Sequence, residues 1–140
     1  MRLPTPDSPV RRAAAASQPR ILVVADDYVH VTLRAALRHL RADIVWAPSG
    51  TEALHLARGH RPDVAVVDLG LPDIDGSDLT RALRAEPGLH HLRIVIVTGY
   101  LPGERAARAV GADEVLGKPF LLHEFLDAVS RQLRTYALAR

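Results

Sequence analysis

The chain has 140 residues, 48% of them apolar and 24% charged, with a mean hydropathy of +0.03. Those values fit one globular domain with a real core and exclude disordered, collagen-like and fibrous classes. There is no cysteine, so disulfide scaffolds, thiolate metal sites and cysteine nucleophiles are excluded as well.

The pI near 9.5 suggests nucleic-acid binding until the charge is divided by region. Residues 1–20 carry four arginines and one aspartate, a net of +3, which leaves −1 for the rest of a chain whose total is +2. The body lacks the clustered cationic surplus of a compact nucleic-acid-binding domain, so no nucleic-acid partner is expected. Residues 1–20 also hold four prolines and no apolar periodicity, and we expect a flexible N-terminal arm. No apolar run approaches the ~20 residues that cross a bilayer, and the arm has no apolar signal core. A cytoplasmic setting without membrane association is expected.

From residue 20 onward, short Val/Ile-rich runs alternate with amphipathic segments, the pattern of repeated strand–helix units around a parallel sheet. Strands are predicted at Ile21–Ala25, Ile44–Trp46, Val64–Val67, Ile94–Val97 and Glu114–Leu116. The first, third and fourth are almost wholly apolar and should be central. A first helix is predicted over Val29–Leu40, with Leu33, Ala36, Leu37 and Leu40 on one face. A second opens at Ser49 and Glu52, which have capping-box spacing, and closes near Gly59. A third starts at Ser77 or Asp78 and stops at Pro87 and Gly88. A short fourth lies between Pro102–Gly103 and Gly111. A fifth places Leu122, Phe125, Leu126, Val129 and Leu133 on one stripe. The expected fold is thus α/β, a single doubly wound five-stranded parallel sheet in one domain over residues 21–136, with residues 137–140 as a C-terminal tail.

In an open parallel sheet, ligands bind beyond the carboxyl ends of the strands. The residues there are Asp26 and Asp27 after the first strand, Asp68 after the third, Thr98 after the fourth and Lys118 after the fifth. Each alone has a plain explanation as a helix cap, a turn residue or a solvated charge. Their convergence does not, because clustered carboxylates repel unless a cation lies between them. Oxygen ligands in small number suit Mg²⁺, and Lys118 is the sole lysine in a chain that otherwise uses arginine. The seven histidines, His55, His60, His90 and His91 among them, show no zinc-type spacing near the acids and are expected at the surface.

The stretches ILVVADD (21–27), SGTEAL (49–54), PDVAVVDLGLPDIDG (62–76), IVIVTGY (94–100) and GADEVLGKPF (111–120), in that order, resemble the response-regulator receiver domain of two-component phosphorelays. The resemblance covers residues 20 to about 135. It implies a flavodoxin-like sheet of strand order 2-1-3-4-5. It implies that Asp68 accepts a phosphoryl group from a histidine kinase or phosphotransfer protein, with Mg²⁺ held by Asp68, Asp26 or Asp27, and the carbonyl of Gly70. Thr98 and Lys118 would contact the phosphoryl oxygens, and Pro119 would follow a cis peptide. An output protein of unknown identity would meet the fourth helix, fifth strand and fifth helix.

Two positions depart from the family pattern. Ala25 occupies the first slot of the usual acidic pair if Asp26 is the direct ligand, and Val115 stands where a switch aromatic is common, with Tyr100 the nearest ring. These departures keep a second expectation open, a receiver-fold scaffold that binds partners without phosphorylation. An aspartate-nucleophile phosphatase would want a second acid at Gly70, and a dinucleotide site would want glycines after the first strand. The chain is expected to be no enzyme in its own right. It stops shortly after the fifth predicted helix, so we expect action through a partner, onward transfer of phosphate, or membership of a longer protein.

Overall fold

Three strands, β1 (Arg20–Val24), β3 (Val64–Asp68) and β4 (Arg93–Thr98), are buried almost end to end. Alternate side chains on each point to opposite faces, and both faces are covered. A computed structural model describes residues 18–99, 105, 108 and 111–139. On one face Leu22, Val24, Ala65, Val67, Ile94 and Ile96 meet Ala53 and Ala57 of α2 (Gly50–His60) and Leu79 and Leu83 of α3 (Gly76–Ala85). On the other, Ile21, Val23, Val64, Val66, Val95 and Val97 meet Leu33, Ala36 and Leu37 of α1 (Asp27–Leu37) and Phe125, Ala128 and Val129 of the C-terminal helix α4 (Leu122–Ala139). Phe125 is fully buried, and truncating such a ring to alanine costs about 3–5 kcal/mol.

The less buried strands β2 (Asp43–Ala47) and β5 (Glu114–Gly117) form the edges, and all four strand pairings are parallel in the order β2-β1-β3-β4-β5. The expected α/β class, doubly wound parallel sheet and strand order are what the chain adopts.

Helix boundaries moved where capping side chains decided them. α1 starts at Asp27, two residues before the predicted start, because the Asp26 carboxylate accepts from the amides of Tyr28 and Val29. It ends at Leu37, short of the predicted Leu40. α2 begins after Ser49 as expected, and Arg61 ends it in the left-handed region at φ 51°. α3 is capped by Asp75, not by a residue at Ser77 or Asp78, since the Asp75 carboxylate reaches the Ser77 amide at 2.7 Å. α4 continues through Ala139, so the helix does not end at the tail boundary expected at 136. Of its predicted stripe, Phe125 and Val129 are buried and Leu126 and Leu133 partly so, but Leu122 is exposed at the helix start. The expected arm, apart from residues 18–20, and Tyr100 lie outside the described residues, as does most of the predicted fourth helix.

Candidate functional site

The register of the sheet brings the chemistry-bearing residues together. Val24 lies opposite Val67, so the chain leaves β1 through Ala25 and Asp26 beside the point where β3 ends in Asp68. Asp68 pairs with Val97 and Thr98 with Gly117, which puts Thr98 and Lys118 on the same edge. Strands that stop at one level thereby bring the residues that follow them to the same end of the sheet.

Asp68 is 4% exposed, yet both carboxylate oxygens are engaged. Oδ1 accepts from the amide of Gly70 at 3.0 Å, and Oδ2 accepts from the Lys118 ammonium at 2.9 Å. A charge-assisted bond of this kind is what allows a carboxylate to be buried. The backbone places the lysine, since its own amide donates to the Thr98 carbonyl at 2.7 Å. The Lys118–Pro119 peptide is cis, as the resemblance implied. Thr98 ends β4 and is 4% exposed. Gly76 lets the start of α3 press against the residue after Asp68, for a Cβ there would sit 2.8 Å from the Leu69 Cα.

Asp26 and Asp27 stand at the exposed head of α1, and neither forms an ion pair among the described residues. The described residues contain no group of three or more acids, histidines or cysteines placed to hold a metal ion, so the expected three-aspartate cluster is not drawn together. Asp26 instead spends Oδ1 on the first amides of α1. What this end of the sheet offers among the described residues is a sparse set of oxygens, the Asp68 carboxylate and the exposed acids Asp26 and Asp27 at the head of α1. That donor set fits Mg²⁺, which keeps several waters and takes few protein ligands.

Two contributors escaped the sequence reading. Trp46, the last residue of the second predicted strand, donates its Nε1–H to the Ala25 carbonyl at 2.8 Å and so holds the residue before Asp26. The His30 ring stacks on it at 3.7 Å and 13°. His30 and His60, expected at the surface, are half-buried, and the Nδ1 atom of each is buried without a hydrogen-bond partner among the described residues; His60 Nε2 lies 3.2 Å from Asp43 Oδ2.

The second is Asp73, whose Oδ1 accepts from the Gly50 amide at 2.9 Å. Its Oδ2 accepts from the amide and hydroxyl of Thr51 at 3.0 and 2.7 Å. The Thr51 hydroxyl, followed by the Gly50 and Thr51 amides, lowers the Asp73 carboxyl from 3.8 to about 2. The Asp-rich run LPDIDG ahead of a helix is the kind of pattern that marks capping acids, but nothing in it names α2 as the helix that Asp73 meets. Val115, at the position of the absent aromatic, packs against the core face shared with α2 and α3.

Comparison with known proteins agrees with this geometry. Residues 21–130 match the model of the response regulator receiver domain. The transcriptional regulatory protein PrrA of Mycobacterium tuberculosis is 35% identical over 119 residues, covering 84% of this chain and 51% of its own. The chain therefore spans about half the length of that relative. The polar-differentiation response regulator DivK of Brucella anthropi is 28% identical over 116 residues, 81% of this chain and 94% of its own. Among solved structures, the receiver domain of the sensor histidine kinase PA1611 from Pseudomonas aeruginosa PAO1 superposes with a TM-score of 0.75 at 29% identity, covering 83% of this chain and 98% of that one. That structure has a magnesium ion coordinated in its active-site cleft. With the parallel sheet, the ion pair of buried Asp68 with Lys118 and a family match over most of its length, this chain belongs to the response-regulator receiver domains of two-component signalling.

Proposed function

We propose that Asp68 is the phosphoacceptor of this receiver domain and that phosphorylation switches its binding to a partner. The observation that carries this reading is the Asp68 carboxylate itself, buried at the sheet edge with the only lysine on one oxygen and the Gly70 amide on the other. A side chain held on both oxygens is oriented before reaction, and orientation with charge neutralisation is most of what phosphoryl transfer requires.

In the proposed step an Asp68 oxygen attacks phosphorus, forming the acyl phosphate as the P–N bond of a phosphohistidine, or the P–O bond of acetyl phosphate, breaks. The leaving nitrogen or carboxylate takes the bonding pair. Lys118 passes from the carboxylate to the incoming phosphoryl oxygens, where its ammonium offsets developing charge. The Thr98 hydroxyl, on the adjoining strand end, is the donor for a further phosphoryl oxygen. Asp68, the Gly70 carbonyl, and Asp26 or Asp27 would hold Mg²⁺, which when bound neutralises phosphoryl charge. Asp26 and Asp27, which form no ion pair among the described residues, support that assignment, since they leave this end of the sheet short of positive charge.

The phosphodonor is a histidine kinase or phosphotransfer protein. Exposed Tyr28 and Val31 on α1, and Leu121 and Leu122 at the head of α4, adjoin the segments carrying Asp26 and Lys118 and supply apolar contacts for docking. The output surface of this reading comprises the predicted fourth helix, most of which lies outside the described residues, with β5 and the C-terminal helix. The role is that of a switch in the cytoplasm, not of an enzyme with its own turnover substrate; no helix among the described residues is long and apolar enough to cross a membrane.

The test is mass spectrometry after incubation with acetyl phosphate, with and without Mg²⁺. Wild type should gain one phosphate only with Mg²⁺, and Asp68→Ala none. Ala25, buried at the slot where the family pattern has an acid if Asp26 is the direct ligand, favours the alternative of a binding scaffold without phosphorylation, and a wild type that gains nothing would support it.

A further inference from the structure

We propose that Asp73 is a positioning residue for the phosphoryl site: by gripping the first turn of α2 it holds the β3–α3 loop, and Gly70 with it, against Asp68. This rests on the reading of Asp68 as phosphoacceptor and extends it to a side chain that touches neither phosphate nor cation.

The loop of residues 69–75 has one fixed point at each end. At its start the Gly70 amide meets Asp68 Oδ1, and at its finish Asp75 caps α3. Between them Asp73 makes three hydrogen bonds to residues 22 or 23 positions away in the chain. Two are to the amides of Gly50 and Thr51 in the first turn of α2, where a helix has donors without internal partners and a positive dipole end. α2 already has a cap of its own, since the Ser49 hydroxyl accepts from the Glu52 amide at 3.3 Å. Asp73 is therefore more than a means of starting α2. It joins α2 to the loop that leaves the phosphoacceptor.

Gly50 bears on the same junction from the other side. A Cβ at that position would fall inside the Ile74 side chain, so the loop is pressed onto the helix start as well as bonded to it. The lowered Asp73 pKa, about 2, agrees with a carboxylate held in its ionised form by these donors. Freeing the loop would blur both the Gly70 amide that orients Asp68 and the Gly70 carbonyl assigned to the cation. Groups that orient ligands from outside the coordination sphere are worth 10–100-fold in metal affinity.

The experiment compares full-length wild type with Asp73→Ala, Asp73→Asn, Thr51→Val and Ser49→Ala. Calorimetric titration with Mg²⁺ alone should show about tenfold weaker binding for Asp73→Ala, the lower end of that range. Asp73→Asn, which keeps the shape and one acceptor oxygen, should recover part of it. Amide exchange of residues 69–75 in metal-free protein should speed up in Asp73→Ala and Thr51→Val. Ser49→Ala, which weakens the same helix end without touching the loop, should leave both readouts at the wild-type level. The proposal is overturned if Asp73→Ala keeps wild-type exchange in that loop and wild-type Mg²⁺ affinity while melting like Ser49→Ala, for then Asp73 is a helix cap and nothing more. Should Asp73→Ala fail to fold, Asp73→Asn and Thr51→Val decide by the same two readouts. A wild type that takes no phosphate counts against the phosphoacceptor reading, whereas the exchange result stands or falls on Asp73 alone.

Discussion

The two ends of the sheet handle charge in opposite ways. At the amino end each acid has a matched donor. Asp113 takes Arg84, Arg93 and the Ile94 amide; Glu114 takes Arg131 and Gln132; Asp63 takes the Arg20 amide; Asp43 meets His60. Gln132, buried, passes the network on by accepting from Arg93. At the carboxyl end, among the described residues, Asp68 has Lys118 as its ion-pair partner while Asp26 and Asp27 have none. A finished network stabilises, while an unfinished one is a place for something else to bind. The same residue types therefore carry different meanings at the two ends, and the count of satisfied partners tells them apart.

The largest expected effect lies at the unfinished end. Asp68→Asn should abolish phosphate uptake, read by intact-protein mass, while the fold is retained. A persistent single phosphate in this variant would mean that another acid at the edge is the acceptor. Next, Lys118→Ala should slow phosphorylation by acetyl phosphate by about 10²–10³, the usual cost of one electrostatic contact to a developing charge. Lys118→Arg should restore little, because a planar guanidinium does not replace a compact ammonium there.

The finished end should answer in stability instead. Asp113→Ala leaves the Ile94 amide, Arg84 and Arg93 without their shared acceptor, and we expect a loss of about 2 kcal/mol in denaturant unfolding. Its Mg²⁺ affinity should be unchanged, and a change there would break the proposed division between the ends. The smallest effect is acid-dependent. Asp73 has a folded pKa near 2 against an ordinary 3.8, so its contribution is complete above about pH 4 and disappears as pH falls toward 2. Unfolding curves of wild type and Asp73→Asn should converge over that interval.

Much of the architecture is legible in the sequence, because the apolar runs at Ile21, Val64 and Ile94 carry the signature of strands covered on both faces. The edge position of Asp68, Thr98 and Lys118 followed from those runs, since each stands where an apolar run stops. Helix starts were less readable. Asp75 and Ser77 are both good caps by composition, and only the turn geometry selected Asp75. His30 and His60 looked like surface residues because a lone histidine has no periodic signal, and the ring of Trp46 that covers His30 belongs to another element.

By itself the sequence determined the layered parallel sheet and the gathering of Asp68, Thr98 and Lys118 at its carboxyl edge. Local periodicity and strand length set both. Only the tertiary structure decided which acid caps α1, that Trp46 holds Ala25, and that Asp73 binds α2 across 22 or 23 positions. These last are single polar contacts between segments far apart in the chain. Each depends on the distance and direction of one donor, and a linear pattern of residue types records neither.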